Sequence, residues 1–313
     1  MKKRTKIFLI IIAVILLAAV VVNVLQNHRI IITPYSITSE KLSPEGGNIE
    51  VLQLSDLHFV SGKWQIRRIL EIATETAPDI IVITGDLIDA PKYARMVKNR
   101  ANDDDGEVIG SETIDLCIAL AETAPCYFIY GNHEMSLLDD PDNNEFKLAL
   151  EAAGINIINN TAMEIGINGQ LINLLGVQDP STLYKDPVYA YCADTSAERV
   201  DMIMGNLFDD IGAYGSEERF NLVLSHRAEL FDIYCKYPAD LVLTGHAHGG
   251  QIRIPFLRLG LFAPSQGLFP KYTDGLYSNG SVNMLVSRGI GNSIFPFRIF
   301  NTPEALHVTI SAE

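Results

Sequence analysis

The stretch Ile80-Ile81-Val82-Ile83-Thr84-Gly85-Asp86-Leu87-Ile88-Asp89 decides the architecture in ten residues. Four β-branched apolar residues and a threonine run without a break, a glycine turns the chain, and two carboxylates follow. β-Branched side chains suit a pleated surface, and an unbroken apolar run marks a strand buried on both faces. Carboxylates directly after such a strand put polar chemistry at its carboxyl end, where open α/β sheets bind ligands. The same pattern recurs four times. Ile49 to Leu54 leads into Ser55-Asp56-Leu57-His58, and Tyr127 to Tyr130 into Gly131-Asn132-His133-Glu134. Leu222 to Leu224 leads into Ser225-His226, and Leu241 to Thr244 into Gly245-His246-Ala247-His248-Gly249-Gly250.

Between these runs, Trp64 to Thr76, Glu112 to Glu122 and Asn144 to Ala153 carry apolar residues at three- and four-residue spacing, which predicts helices. Ala77-Pro78 and Gly154 mark two of their ends. Strands alternating with helices predict an α/β body. Asn168-Gly169 and Asn279-Gly280 predict tight hairpins, so antiparallel pairs are mixed with strand–helix units, as in two packed sheets with helices outside. The polar stretch from Pro91 to Ser111, which holds Asp103, Asp104 and Asp105, reads as a solvated insertion; the ligand spacing of a calcium loop is absent.

Composition narrows the function classes. Of 313 residues, 48% are hydrophobic and 20% charged, which excludes a disordered chain. Net charge is −14, from 24 basic and 38 acidic residues. That argues against nucleic acid, whose phosphates need basic surface. A small phosphorylated substrate stays admissible, because a metal ion can supply the local positive charge. At the N-terminus, Lys2, Lys3, Arg4 and Lys6 precede an apolar run from Ile7 to Val22, and Asn23 is the only polar residue before Gln26. A span needs about 20 mostly apolar residues. Residues 1–27 are therefore expected to form a basic end and a single membrane anchor. The positive-inside tendency puts that end in the cytoplasm and the rest of the chain outside. Secretion after signal-peptide cleavage is the alternative. Residues 28–47 read as a connector with one extended stretch, Ile30 to Ile37, interrupted by Pro34, and 48–313 as the functional domain. Cys117 and Cys126 sit in apolar settings and read as buried thiols, although in an oxidising compartment they, Cys192 and Cys235 could pair.

Five of the seven histidines (His58, His133, His226, His246 and His248) fall in the polar clusters, and only His28 and His307 lie elsewhere. Imidazole, carboxylate and amide oxygen together suit Zn, Mn, Fe or Ni better than Ca or Mg. The lack of cysteine in every cluster argues against a structural zinc site. The ligands are too many for one ion; two ions about 3.5–4 Å apart and sharing a carboxylate would use them.

The ordered set D-x-H, G-D-x-x-D, G-N-H-E, H, G-H-x-H resembles the calcineurin-like metallophosphoesterases, over about residues 48 to 310. Gly245 to Gln251 with Arg253, Ile254 and Pro255, and Ser287-Arg288-Gly289-Ile290-Gly291, resemble the bacterial YaeI/YkuE-type phosphodiesterases within that family. The resemblance implies a four-layer αββα sandwich of two mixed sheets. It implies one metal held by Asp56, His58, Asp86 and His248, and a second by Asp86, Asn132, His226 and His246, with Asp86 bridging. His133 would contact the phosphate and protonate the leaving oxygen, Asp89 would orient His133, and Glu134 receives no catalytic role. The implied function is a membrane-anchored phosphoesterase with two divalent ions, Mn, Zn or Fe, acting on phosphodiesters more than monoesters. Its substrate would be phosphorylated and, given the anchor, lipid-linked or envelope-derived. A phosphomonoesterase, or a non-catalytic metal-dependent binding or scaffold protein at the membrane, remains as the alternative.

Overall fold

The computed structural model describes residues 3–60, 62–100, 109–137, 144–181, 183, 196–211, 218–254, 257, 259–292 and 298–313. Lys2, Asp103, Asp104, Asp105, Cys192 and Pro255 lie outside the described residues. Along the chain, α1 (Lys3–Asn27) is followed by β1 (Ile31–Ser39), β2 (Ile49–Leu54), α2 (Lys63–Thr76), β3 (Ile80–Thr84), α3 (Ala90–Arg100), α4 (Ser111–Ala121), β4 (Cys126–Ile129), α5 (Asn132–Met135), α6 (Asn144–Ala152) and β5 (Ile155–Ile157). The second half holds β6 (Thr161–Ile167), β7 (Gln170–Gly176), α7 (Ser196–Ile211), β8 (Asn221–Arg227), α8 (Phe231–Tyr234) and β9 (Leu241–Gly245). Two short hairpins, β10 (Arg253–Ile254) with β11 (Leu259–Gly260) and β12 (Phe262–Ala263) with β13 (Gly267–Leu268), precede β14 (Gly275–Asn279), β15 (Val282–Val286) and β16 (Glu304–Ala312).

The fold is α/β with two mixed six-stranded sheets. One is ordered β1-β16-β2-β3-β4-β5, and the other β14-β15-β9-β8-β7-β6. β2 to β5 run parallel, as do β15, β9, β8 and β7; antiparallel pairing enters at β16–β2, β14–β15 and β6–β7. Side-chain alternation explains why the strand sequences are apolar at nearly every position. Ile49, Val51, Ile80 and Val82 face a layer shared with Leu222, Leu224, Leu241 and Leu243 of the other sheet. Leu52, Leu54, Ile81 and Ile83 face the opposite way, against Ile69 and Ile72 of α2, Leu116 and Leu120 of α4 and Leu150 of α6. Val223 and Val242 pack under Ile203 and Leu207 of α7. Both faces of the central strands are thus dry, and each buried aliphatic side chain contributes about 1.5–3 kcal/mol. At the carboxyl ends the shared layer turns polar. Gln53 Nε2 donates to Thr84 Oγ1 and to the Thr244 carbonyl, each at 2.9 Å, tying the two sheets together.

The extended stretch expected within the connector is edge strand β1, paired along its length with β16. Pro34 is tolerated there because an edge strand leaves one side of its backbone unpaired. Two expectations need correction. The stretch after Pro91 begins as helix α3, started by Asp89, whose Oδ1 accepts the Lys92 N–H at 2.8 Å. In the β14–β15 hairpin Asn279 pairs with Val282, so the turn centres on Gly280-Ser281, with Gly280 at φ 60°. Asn168-Gly169 turns β6 into β7 as expected, with φ of 50° and 81°.

Helix α1 includes 22 residues, Lys6–Asn27, long and apolar enough to cross a membrane by length and composition. Its last turns are fastened to the domain. Asn27 Nδ2 donates to the Arg298 carbonyl at 2.7 Å and Asn27 Oδ1 accepts the Arg298 N–H at 3.3 Å, while Asn23 Oδ1 accepts the Phe300 N–H at 3.2 Å.

Cys117 and Cys126 are buried free thiols, and Cys235 is partly exposed. Burial pushes the Cys126 thiol up to about 12 and raises Cys117 further. Since the thiolate is the reactive form, a maleimide added to the native protein should label Cys235, and label Cys117 and Cys126 only after unfolding. Peptide mass mapping of both samples checks this, and rapid native labelling of Cys117 would contradict the packing described.

Candidate metal centre

The carboxyl ends of five strands, three from one sheet and two from the other, meet at one place. β2 delivers Asp56 and His58, β3 delivers Asp86, and β4 runs into α5 with Asn132 and His133. From the other sheet, β8 carries His226 and β9 is followed by His246 and His248. Potential ligand atoms of Asp56, His58 and His248 lie within 4.8 Å of one another, as do those of Asp86, His226 and His246, and those of His58, Asp86 and His133. Asp86 is central: its Oδ2 is 3.2 Å from His226 Nε2 and 3.8 Å from Nε2 of both His58 and His133. His248 Nε2 is 3.4 Å from Asp56 Oδ1. Asn132 lies beside His133 on the wall of a groove of about 530 Å³ that also includes Ser136, Ser181 and Arg227. His28 and His307 stand apart: His28 bonds the Val24 carbonyl, and His307 on β16 faces Glu50 at 2.9 Å.

The local backbone is strained where the cluster needs it. Asp56, His58, Asp86, His246 and His248 all have φ between 46° and 65°. Side-chain-bearing residues avoid that region, at a cost of about 1–3 kcal/mol each, and such residues concentrate at functional sites. Two glycines make room. A Cβ on Gly85, itself at φ 88°, would come within 2.5 Å of His226 Nδ1, and one on Gly131 would collide with the Asp86 carboxylate.

Hydrogen bonds fix the side chains. His226 Nδ1 donates to the Thr84 carbonyl at 2.7 Å, which leaves Nε2 facing Asp86. A histidine whose other nitrogen is committed to a carbonyl is arranged as metal ligands are. Ser55 Oγ donates to Asp56 Oδ2 at 2.6 Å, and the His246 N–H lies 3.1 Å from both Asp56 oxygens. Asn301 Nδ2 donates to the His248 carbonyl at 2.6 Å, and Arg298 Nη2 to His248 Nδ1 at 3.3 Å. His133 is held differently from expectation. Its Nδ1 accepts the Ala90 N–H at 2.8 Å, and the Asp89 carboxylate caps α3 instead. With Nδ1 accepting, the ring proton sits on Nε2, the atom nearer Asp86.

Burial dominates the electrostatics of the cluster. Burial pushes Asp56 up to about 6 and His58 down to about 4. Burial also depresses His246, helped by Arg227 and His226, and His248, helped by His58 and Arg298. Burial opposes the charge on Asp86, but the attraction and hydrogen bond of His226 outweigh it and hold the carboxyl well below its usual range. His226 is the counterpart: burial resists its charge, yet Asp86 pushes it up to about 10.

The residues fit a cation centre on independent grounds. Asn132 Oδ1 and His58 Nδ1 are buried without a hydrogen-bond partner among the described residues. A buried orphan acceptor costs about 1–3 kcal/mol, and an amide oxygen is an ordinary cation ligand. His58 and His248 face each other at 3.1 Å through Nε2, and His226 Nε2 and His246 Nδ1 at 3.2 Å. Paired imidazole nitrogens at that distance call for a shared proton or a cation between them.

Three features escaped the sequence reading. Glu134 is fully buried, and its carboxylate accepts N–H groups from Asp86, Ile88 and Gly131 at 2.8–2.9 Å, binding the β3 and β4 loops into one unit. Arg227 makes a buried two-point pair with Asp179 on the groove wall, at 2.6 and 3.2 Å. Arg298 reaches the cluster from near the C-terminus. Arg227 was findable, because it directly follows His226; Asp179 and Arg298 lie in no cluster and carried no local signal.

The model of the calcineurin-like phosphoesterases matches residues 49–250. The chain is 25% identical to the YkuE metallophosphoesterase of Bacillus subtilis strain 168, over 92% of this chain and 88% of that one. It is 26% identical to the YaeI phosphodiesterase of Escherichia coli K12, over 82% and 79%. Among solved structures, TT1561 of Thermus thermophilus is similar at 11% identity, covering 78% of this chain and 91% of that chain with a TM-score of 0.43. With the family pattern matched from the first strand of the body through the last histidine pair, the chain belongs to the calcineurin-like phosphoesterase family.

Proposed function

We propose that the protein is a membrane-anchored phosphodiesterase working through a dinuclear metal centre. The observation that carries this reading is the convergence of Asp56, His58, Asp86, His226, His246 and His248 on overlapping ligand groups, beside an Asn132 amide oxygen that lacks a partner among the described residues. In this reading Asp56, His58, Asp86 and His248 hold one ion, Asp86, Asn132, His226 and His246 hold the other, and Asp86 is shared. Divalent ions there supply positive charge against phosphate oxygens and make water a better nucleophile near neutral pH; the nitrogen-rich donor set favours Mn, Zn or Fe.

The chain's own groups do the rest. His133 offers an Nε2–H hydrogen bond to the phosphate or to the leaving oxygen, with the ring held at Nδ1 by the Ala90 N–H; as a general acid the ring would first take up a proton at Nδ1 and release that contact, returning to neutral imidazole when Nε2 gives up its proton. Asp89 is a positioning residue: it caps α3, whose first residue is Ala90. Arg227, fixed by Asp179, stands on the groove wall beside His246, and both reach the Ser265 hydroxyl. The groove of about 530 Å³ beside His133, which also takes in Ser181 and Arg227, offers a place for the groups esterified to the phosphate and in this reading favours diesters over monoesters. That a relative bears the name phosphodiesterase points the same way. The length of α1 and the cations at its start support an anchor with the domain outside, and hence substrates that are lipid-linked or envelope-derived; cleavage after α1 would release the domain without its Asn23 and Asn27 contacts.

The purified protein should bind two divalent ions per chain, lose hydrolysis of bis-nitrophenyl phosphate to a chelator, and regain it with Mn or Zn. Asp86→Ala should lose both ions; elemental analysis showing two retained would rule out the sharing role. For His133→Ala, metal content should hold while turnover falls about 10²–10⁴-fold. The fall should be larger for alkyl than for nitrophenyl leaving groups, and equal slowing of the two would restrict the ring to binding phosphate.

A further inference from the structure

Where α1 leaves the domain, the surface is basic and aromatic although the chain as a whole carries a net charge of −14. A cavity of about 640 Å³ opens there, bounded by His28, Arg29, Trp64, Arg67, Arg68 and one carboxylate, Glu71, which pairs with Arg68 at 3.4 Å. Arg68 is already committed, with Nη1 2.8 Å from Glu75 and Nε on the Ile30 carbonyl at 3.2 Å. Arg29 and Arg67 are exposed and pair with no carboxylate among the described residues. Trp64, the only tryptophan of the chain, lies with its ring 5.7 Å from that of His28, the residue directly after α1. On the outer face of α2 the surface continues through Lys63, Ile66 and Leu70, beside Glu71 and Glu75, which pair with Arg68. Elsewhere around the exit, Phe300 hangs by its N–H from Asn23 and is 38% exposed.

Depth follows from helix geometry. The 22 residues of Lys6–Asn27 rise about 33 Å, against a hydrocarbon core of about 30 Å. A spanning α1 therefore delivers His28, and with it Trp64, to the level of the headgroups. Tryptophan favours that level, and unpaired arginines there meet lipid phosphate.

We infer that this cavity binds the phosphate of an anionic lipid in the bilayer that α1 enters, with Arg29 and Arg67 as its two cationic contacts and Trp64 seated in the interface. The inference rests on reading α1 as a span. It assigns the domain a second contact with the membrane, away from the metal cluster, that fixes the height and orientation of the groove.

The single tryptophan supplies the probe. The full-length chain is reconstituted in vesicles, and Trp64 emission is followed with acyl-brominated phosphatidylglycerol or phosphatidylcholine at matched mole fractions. Half-quenching should need about fivefold less of the anionic lipid, the effect expected of one or more arginines near a charged headgroup. Arg29→Gln/Arg67→Gln should abolish that preference while leaving bis-nitrophenyl phosphate turnover unchanged. Equal quenching by the two lipids overturns the headgroup site. So does displacement of the brominated anionic lipid by millimolar inorganic phosphate, which would make it a site for free phosphate. Absence of quenching in a chain that resists carbonate extraction overturns the inference, because the cavity that Trp64 bounds then does not meet the headgroups. A chain that carbonate extracts overturns the span and this inference with it, and leaves the metal-dependent hydrolysis standing on its own assay.

Discussion

The hydrogen bond from His226 Nδ1 to the Thr84 carbonyl, 2.7 Å long, joins two sheets at the point where both run out. Neither sheet carries a sufficient site. One brings the carboxylates Asp56 and Asp86 with His58 and Asn132, and the other brings His226, His246 and His248. The shared apolar layer, ending in the Gln53–Thr84–Thr244 contacts, sets how the sheets meet. The Thr84–His226 bond converts that meeting into chemistry, because it selects the ring nitrogen that faces Asp86. Close packing leaves such a junction little freedom to slide, so the separation of the two ligand groups is set by side chains such as Leu222, Leu241 and Ile80 that never touch a ligand.

The site is costly in two ways, and both costs act in one direction. Five candidate ligands sit in left-handed backbone, and several buried imidazoles and carboxylates have no adequate counter-charge. Glu134 shows how the strain is held. Its three backbone hydrogen bonds bind the turns after β3 and β4 together, yet burial and the Asp86 charge push its own pKa up to about 8. A carboxylate that organises the loop around another carboxylate makes structural sense if positive charge arrives between them.

Local pattern carried most of this fold and cluster. Uninterrupted runs such as Ile80–Thr84 signalled strands dry on both faces, and the glycines and polar residues after them signalled the edge where ligands collect. What stayed hidden depended on pairing between distant segments. Ile31–Ser39 looked like an extended stretch of connector because its partner, β16, lies at the other end of the chain. Asp89 was matched to His133 through family spacing, but its carboxylate caps α3, and the ring's own contact is the Ala90 N–H. Glu134 was in plain view, but its work is done by three backbone N–H groups whose convergence no spacing rule reports. Arg298 lies 50 positions from the histidine it touches.

Arg298 also shows that the division at residue 27, natural by composition, is not a mechanical boundary. Its guanidinium is fully buried and, among the described residues, faces no carboxylate at hydrogen-bond distance; its donors go to the carbonyls of Gly291 and Arg288 and to His248 Nδ1. Burial pushes its pKa down to about 10. A buried cation without an ion-pair partner keeps its place only if the backbone around it is fixed, and Asn27 fixes that backbone by gripping both the N–H and the carbonyl of Arg298. The last turn of α1 therefore sits two contacts from a candidate metal ligand. The N-terminal apolar helix thus also helps to hold His248 in its left-handed backbone conformation.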